Sequence, residues 1–303
     1  MLECAAEVAM RSIVLVVNPC AGRGAGARLA PQIVTELRRG GVDAEMRLTS
    51  GPRHAIELVR DAVRAGAQQV AVAGGDGTTF EAVNGMLRAA DPAARLGIIP
   101  IGTGNDFVKM LGLADWRDGC ARIVADSSRQ VDVGRCGSHF FANGIGVGFD
   151  AQVAHIANGI RRLSGNAVYA VALLRALAFD FRTPRVRIHH DSGVIEGRIT
   201  LAAVANGRCY GGAFQIAPNA SIDDGLFEVV VADALPRHRV IGLVPQVLKG
   251  THLSHPAVRT ARARRVRVEA EDAVMVHADG EILATAADQL DIELLPRALT
   301  LIA

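Results

Sequence analysis

The chain has 303 residues, half of them apolar and 21% charged, which suits one large domain or two ordinary ones with a sizeable core. Aromatic residues make up only 4% and the formal net charge is +2, which argues against nucleic-acid binding by stacking platforms or by a whole-molecule basic field. The five scattered cysteines include no Cys-x-x-Cys pair, against a zinc ribbon or thioredoxin-like site and in keeping with a reducing cytoplasm.

Met1 to Met10 carries Glu3 and Glu7 and lacks a basic n-region, so it does not read as a signal peptide. Ile13 to Val17 is a continuous apolar run, as a parallel strand buried on both faces requires. A helix pattern follows over Ala27 to Arg39 and stops at Gly40-Gly41. Asp43 to Leu48 reads as a strand, His54 to Ala65 as a helix and Gln69 to Ala73 as a strand. Phe80 to Ala90 reads as a helix and Leu96 to Pro100 as a strand, an alternation that predicts an α/β domain with a parallel sheet over 11–133.

Beyond Gly134 the texture changes. Strand patterns at Val186 to Ile188, Ile199 to Ala205, Leu226 to Ala232, Val266 to Val268 and Leu290 to Leu294 predict a mainly β second domain, a sandwich, over 134–295. Helices are expected at Ser164 to Phe179 and Arg237 to Lys249. The most apolar part, Ala167 to Phe179, is too short to span a bilayer and is interrupted by Arg175, so no transmembrane segment is expected.

Three glycine-rich loops follow predicted strands, where open α/β sheets place their ligands. They are Asn18 to Gly26, Gly74-Gly75-Asp76-Gly77-Thr78 and Gly102-Thr103-Gly104-Asn105-Asp106. Glycine lets backbone N–H groups approach an anion, and a following helix adds its positive N-terminal end. Each alone reads as well as a tight turn; together they point to a phosphate site. Gly22-x-Gly24-x-x-Ala27 with Asp43 fits a relaxed dinucleotide fingerprint, but that reading leaves the other two loops unexplained. No Gly-Lys-Ser, Gly-Lys-Thr, His-Arg-Asp or Asp-Phe-Gly occurs, against Walker-type and protein-kinase sites.

Taken in order, these loops with Glu81, Asn84-Gly85, Asn143-Gly144-Ile145-Gly146, Asp223-Asp224-Gly225-Leu226 and Asp279-Gly280-Glu281 resemble the diacylglycerol kinase catalytic family, its soluble bacterial members above all and sphingosine kinases more distantly. Phe80 departs from the pattern, where a polar residue is usual. The resemblance implies a phosphofructokinase-like α/β domain, a C-terminal β-sandwich, ATP in the cleft between them, and a tail, 296–303, returning to the first domain.

Phosphoryl transfer from ATP needs held phosphates, Mg²⁺ and a proton acceptor. Asn18, Gly74, Gly75, Gly77, Thr78, Gly102, Thr103 and Asn105 supply the nucleotide loops. Asp76, within a phosphate loop, makes sense beside the catalytic Mg²⁺, or else as a turn cap. By resemblance, Thr49 lines the nucleotide pocket and Glu81 reaches the ribose. The resemblance also puts the proton acceptor in Asp279-Gly280-Glu281, with Glu281 favoured as the base and Asp279 as an adjacent carboxylate; an isolated Asp-Gly is otherwise a hairpin turn. The resemblance further implies a second, structural Mg²⁺ held by Asp224 with Ser221 and Leu226, through the carboxylate and nearby backbone carbonyls; the segment otherwise reads as a turn whose aspartates cap backbone N–H groups.

On the acceptor side, Arg161-Arg162 and the helix after it would steer a lipid headgroup and border an acyl channel, or form an ordinary core helix. The basic cluster Arg259 to Arg267 would meet anionic lipid, or form a solvated strand face. The expectation is an ATP-dependent lipid kinase of the cytoplasm, peripheral and transient at the membrane, with a homodimer left open. A NAD kinase-like small-molecule kinase and a non-catalytic nucleotide- or lipid-binding regulator are the alternatives.

Overall fold

The structure, a computed structural model, describes residues 10–102, 104–160 and 166–303. Thr103 and Arg161-Arg162 of the sequence analysis therefore lie outside the described residues. The chain forms two compact units: unit 1 holds 10–102, Gly112–Arg129 and Thr300–Ala303, and unit 2 holds 104–111 and Gln130–Leu299. Among the described residues no helix is long and apolar enough to cross a membrane.

Unit 1 runs β1 (Arg11–Val17), α1 (Ala21–Arg39), β2 (Val42–Leu48), α2 (His54–Arg64), β3 (Gln69–Gly74), α3 (Asp76–Ala89) and β4 (Arg95–Pro100). The chain then gives α4 (Asp106–Met110) to unit 2 before α5 (Trp116–Ala125) closes unit 1. The strands pair in parallel in the order β4-β3-β1-β2, and Thr300 to Ile302 add a parallel partner beside β4. All six residues of β3 are buried, which is why the run carries no polar alternation. Ile33 and Leu37 of α1 and Cys120 and Ile123 of α5 join Leu15, Val17 and Ile99 in one apolar cluster. The amphipathic α2 buries Ala55, Ile56, Val59, Ala62 and Val63.

Two helix starts differ from the sequence expectation. The span of α1 opens at Ala21, but Gly22, Arg23 and Gly24 have φ of 56°, 59° and 86°, so regular helix begins only after them. Helix α3 begins at Asp76, inside the second glycine loop, because extended Gly75 is its N-cap and Thr79 N–H donates to Gly75 O at 2.9 Å. Asp76-Gly77-Thr78 is thus a helical turn, with its N-terminal end at the sheet edge.

Unit 2 is built from strands with helices at their flanks. After β5 (Ser128–Cys136), β6 (His139–Phe141) and β7 (Gly144–Gly148) come α6 (Phe149–Gly159), α7 (Asn166–Arg175) and a π-helical turn, Ala176–Asp180. Then follow β8 (Arg185–His190), β9 (Gly193–Ala205), β10 (Phe227–Asp233), α8 (Arg237–Lys249), β11 (Val258–Ala263), β12 (Arg265–Ala278) and β13 (Glu281–Ile302). Antiparallel pairing joins β11-β10-β9-β7-β12-β13, and β8 pairs with both β9 and β12. Helix α6 and strands β5 to β7 are additions to the sequence reading.

The glycines of β7 explain why it does not look like a strand in sequence. A Cβ at Gly144 would collide with the Tyr210 hydroxyl, and one at Gly146 with Asp150 Oδ2 and His277 Nε2. Strand propensity yields here to the close approach of buried polar side chains.

Candidate active site

In unit 1 the three loops leave the same, C-terminal edge of the sheet, since Val17 is in register with Ala73 and Gly74 with Pro100. Side chain and backbone tie them together. Asn18 Nδ2 donates to Thr78 Oγ1 at 3.0 Å, while Asn18 Oδ1 accepts from Cys20 N–H at 3.0 Å. Gly74 O accepts from Ile101 N–H at 2.7 Å and Gly102 N–H at 3.2 Å. A side chain at Gly74 would run into Thr78, and a Cβ at Gly75 would lie 3.1 Å from Gly102 Cα. The glycines therefore keep backbone close to backbone at the start of α3, the arrangement that admits an anion to N–H groups.

Thr49 is buried, with its N–H donating to Val17 O at 2.9 Å. Glu81 reaches the start of α2 instead of standing free in the sheet-edge opening. Its Oε1 accepts from Arg53 N–H at 2.8 Å and its Oε2 from Ala55 N–H at 3.0 Å. Arg53 has φ 66°, so Glu81 holds a left-handed residue and the first turn of α2 in place. A carboxylate oxygen has a second lone pair, so this anchoring leaves acceptor capacity for a ligand hydroxyl.

In unit 2 Asp279-Gly280 is a two-residue hairpin turn between Ala278 and Glu281, with φ of 50° and 88°. The turn is more than a turn. Asp279 Oδ2 accepts from Ala142 N–H at 2.8 Å, and Oδ1 accepts from Asn143 N–H at 2.9 Å and Gly144 N–H at 2.8 Å. Asp279 N–H donates back to Gly144 O at 2.9 Å. This locks the hairpin to the Asn143-Gly144-Ile145-Gly146 segment. Burial pushes the Asp279 carboxyl up to about 6, against the downward pull of these three N–H donors and of His277. Glu281, next along, is exposed.

Sequence reasoning assigned no histidine a role, yet His277 supports this turn. Its Nδ1 accepts from Gly280 N–H at 3.2 Å. Nε2 lies 3.6 Å from Asp150 Oδ2, an oxygen with no hydrogen-bond partner among the described residues. Tyr210 stacks edge-on to His277 at 5.7 Å, and burial holds its phenol well above the usual range. Asn158 Nδ2 completes the frame by donating to Gly280 O at 3.0 Å. These partners are scattered from Asn143 to Tyr210, so only the motif glycines hinted at them.

Asn105 has φ 52° and opens α4. Asp106 is buried and accepts from Gly212 N–H at 2.8 Å; burial raises its carboxyl, opposed by that N–H and by Lys109.

The segment Ser221 to Leu226 does not fit a structural Mg²⁺. Ser221 Oγ donates to Asp223 Oδ1 at 2.7 Å, and Asp224 Oδ1 accepts from Leu226 N–H at 3.1 Å. Asp224 Oδ2 is paired with the guanidinium of Arg262, whose Nε lies 3.0 Å from Glu228. The one carboxylate of the expected ligand set is thus already paired with a cation. Asp132, wholly buried, closes the same region by accepting from Gly225 N–H and Arg297 N–H at 2.7 and 2.8 Å. Among the described residues no group of three or more metal-ligating side chains occurs. We expect EDTA to leave the melting temperature of the intact chain unchanged. Arg262→Ala should lower it by a few degrees, about 1 kcal/mol for a partly exposed pair. A fall on adding EDTA alone, read by circular dichroism, would contradict this assignment.

The basic cluster of β11 and β12 is largely neutralised. Arg259 pairs with Asp233, Arg262 with Asp224 and Glu228, Arg265 with Glu293 and Arg267 with Asp291. A different group of arginines lines a cavity of about 1030 Å³ in unit 2: Arg175, Arg182 and Arg198, with His155, Ile156 and Phe181.

Residues 12–136 match the model of the diacylglycerol kinase catalytic domain, and residues 143–303 that of the YegS C-terminal NAD kinase beta sandwich-like domain. The chain is 33% identical to a diacylglycerol kinase of Mycobacterium tuberculosis, over 89% of this chain and 88% of that one. It is 31% identical to a YegS-like lipid kinase of Chromohalobacter salexigens, over 86% and 84%. The crystal structure of a diacylglycerol kinase from Bacillus anthracis superposes with a TM-score of 0.73 at 25% identity, covering 97% of this chain and 96% of that one.

Proposed function

The chain belongs to the diacylglycerol kinase catalytic family of lipid kinases, and from that premise we propose that it transfers the γ-phosphoryl group of ATP to a lipid hydroxyl, diacylglycerol or a close relative. The observation that carries the reading is the loop constellation of unit 1, in which Asn18, Gly74, Gly75 and Thr78 hold the start of α3 against Ile101 and Gly102. Backbone N–H groups there bind the phosphates, Thr49 lines the nucleotide pocket, and Glu81 accepts from the ribose with its remaining lone pairs. Thr103, outside the described residues, and Asn105 belong to the same proposal.

Asp76 fits a magnesium ion bound chiefly by substrate. It is a carboxylate in the first turn of α3, and among the described residues no group of three or more His, Cys, Asp or Glu side chains forms a closed metal site; an ion there would take its remaining ligands from phosphate oxygens and water. Asp76 would hold such an ion, whose charge would offset that of the transferring phosphoryl group. No step is assigned to a metal at Asp224.

The proton of the acceptor hydroxyl goes to the Asp279-Gly280-Glu281 turn. Asp279 is suited to take it, because its carboxyl is raised to about 6 and so is ionised, yet basic, near neutral pH. Its Oδ2 accepts one N–H and keeps one lone pair, whereas Oδ1 accepts two. Glu281 is the neighbouring carboxylate that the same experiment must separate from it. Supplying γ-labelled ATP with Mg²⁺ to the purified chain, with mixed micelles of several lipids or with NAD, tests the function itself. Label is expected in a lipid; label in NAD and in no lipid would overturn the reading in favour of a small-molecule kinase.

A further inference from the structure

A kinase acting on a lipid must bring its acceptor domain to a bilayer, and the surface for doing so is not the paired arginine stripe. Helix α7 with the π-helical turn after it, and helix α8, each have two apolar sides. Inward, Ala176, Leu177, Val240 and Leu243 share one buried cluster with Phe149 and Leu235. Outward, Phe179 is 80% exposed, Leu174 60% and Ile241 51%. Phe181 and Arg237 bring the two helices together, with the guanidinium 5.9 Å from the ring centroid.

Charge supplies the second, independent feature. Helix α8 contains no Asp or Glu but carries Arg237, Arg239 and Lys249, and Arg175 and Arg182 flank the π-helical turn, where Asp180 is the one acid. Among the described residues none of Arg175, Arg182, Arg237, Arg239 and Lys249 has a salt-bridge partner, in contrast to Arg259, Arg262, Arg265 and Arg267. Exposed aromatic and aliphatic side chains on the same elements as cations without a salt-bridge partner form the composition that settles into the headgroup layer of an anionic bilayer. Arg175 and Arg182 also line the cavity of about 1030 Å³, so docking would put that cavity at headgroup level.

We propose that the outer faces of α7, the π-helical turn and α8 are the surface by which this chain docks on an anionic lipid bilayer. The proposal rests on the lipid-kinase reading for its purpose, but its test does not. The full chain is sedimented with vesicles of phosphatidylcholine, with and without phosphatidylglycerol. Binding is expected only with phosphatidylglycerol, and weaker at high salt. The double variant Leu174→Asp, Phe179→Asp should bind at least about tenfold more weakly, and Arg239→Glu with Lys249→Glu should weaken it as well. Arg259→Gln should change it little. All are surface changes whose folding is checked by melting temperature.

Unchanged binding of both variants would overturn the proposal. So would equal binding to neutral vesicles, or no vesicle binding together with dimerisation that Phe179→Asp abolishes. Turnover of a short-chain diacylglycerol presented as monomers keeps the two ideas apart. Turnover without vesicle binding removes only the docking surface, and vesicle binding without turnover of any lipid removes only the kinase reading.

Discussion

Asp279→Asn is expected to lower kcat by about 10²- to 10⁴-fold, the usual range for loss of a general base. The wild-type rate should fall on the acid side with an apparent pKa near 6, because the carboxyl is raised to about 6 by burial and must be ionised to accept a proton. Stability carries the opposite sign. A carboxyl raised in the folded state favours folding while protonated, and that contribution is lost as pH rises from the unfolded value through about 6. The asparagine also replaces one accepting oxygen with an NH₂ group that faces a backbone N–H of Ala142, Asn143 or Gly144, so some melting temperature is lost as well. The pH–rate profile separates the two effects, since misfolding lowers amplitude without moving the limb. Glu281→Gln serves as the comparison. If the limb near pH 6 survives in Asp279→Asn and disappears in Glu281→Gln, the base is Glu281.

Asp76→Asn should cost turnover by about 10²- to 10³-fold, comparable to losing one electrostatic partner of the transition state. The fold should hold, because Asp76 is the first residue of α3 and asparagine is tolerated at helix starts. The Mg²⁺ concentration giving half-maximal rate should rise with it, which a helix-capping role alone would not produce. Equal Mg²⁺ dependence in variant and wild type would remove Asp76 from the phosphoryl-transfer machinery.

What could be read in the sequence follows from how local each signal is. Ile13 to Val17 and Gln69 to Ala73 were legible as strands because burial on both faces leaves an unbroken apolar run. The Asp279-Gly280 hairpin was legible because both positions need positive φ. The three N–H groups that Asp279 accepts lie 135 to 137 residues away, and nothing local announces them. The same holds for the arginine stripe. Arg267 faces Asp291, Arg265 faces Glu293 and Arg262 faces Glu228 across paired strands, so their neutralisation is a property of register. Strand β7 was hidden by its own glycines, which make room for Tyr210, Asp150 and His277. The pairing of Asp224 with Arg262, 38 residues along the chain, is likewise invisible in the motif that contains Asp224.

The most direct test of the central claim is transfer of label from γ-labelled ATP by the purified chain, with Mg²⁺, to diacylglycerol in mixed micelles beside NAD in the same buffer. A labelled lipid phosphate is expected, formed at least about a hundredfold more slowly with Asp76→Asn and with Asp279→Asn. Label in NAD with none in any lipid, or lipid label undiminished in both variants, would contradict it.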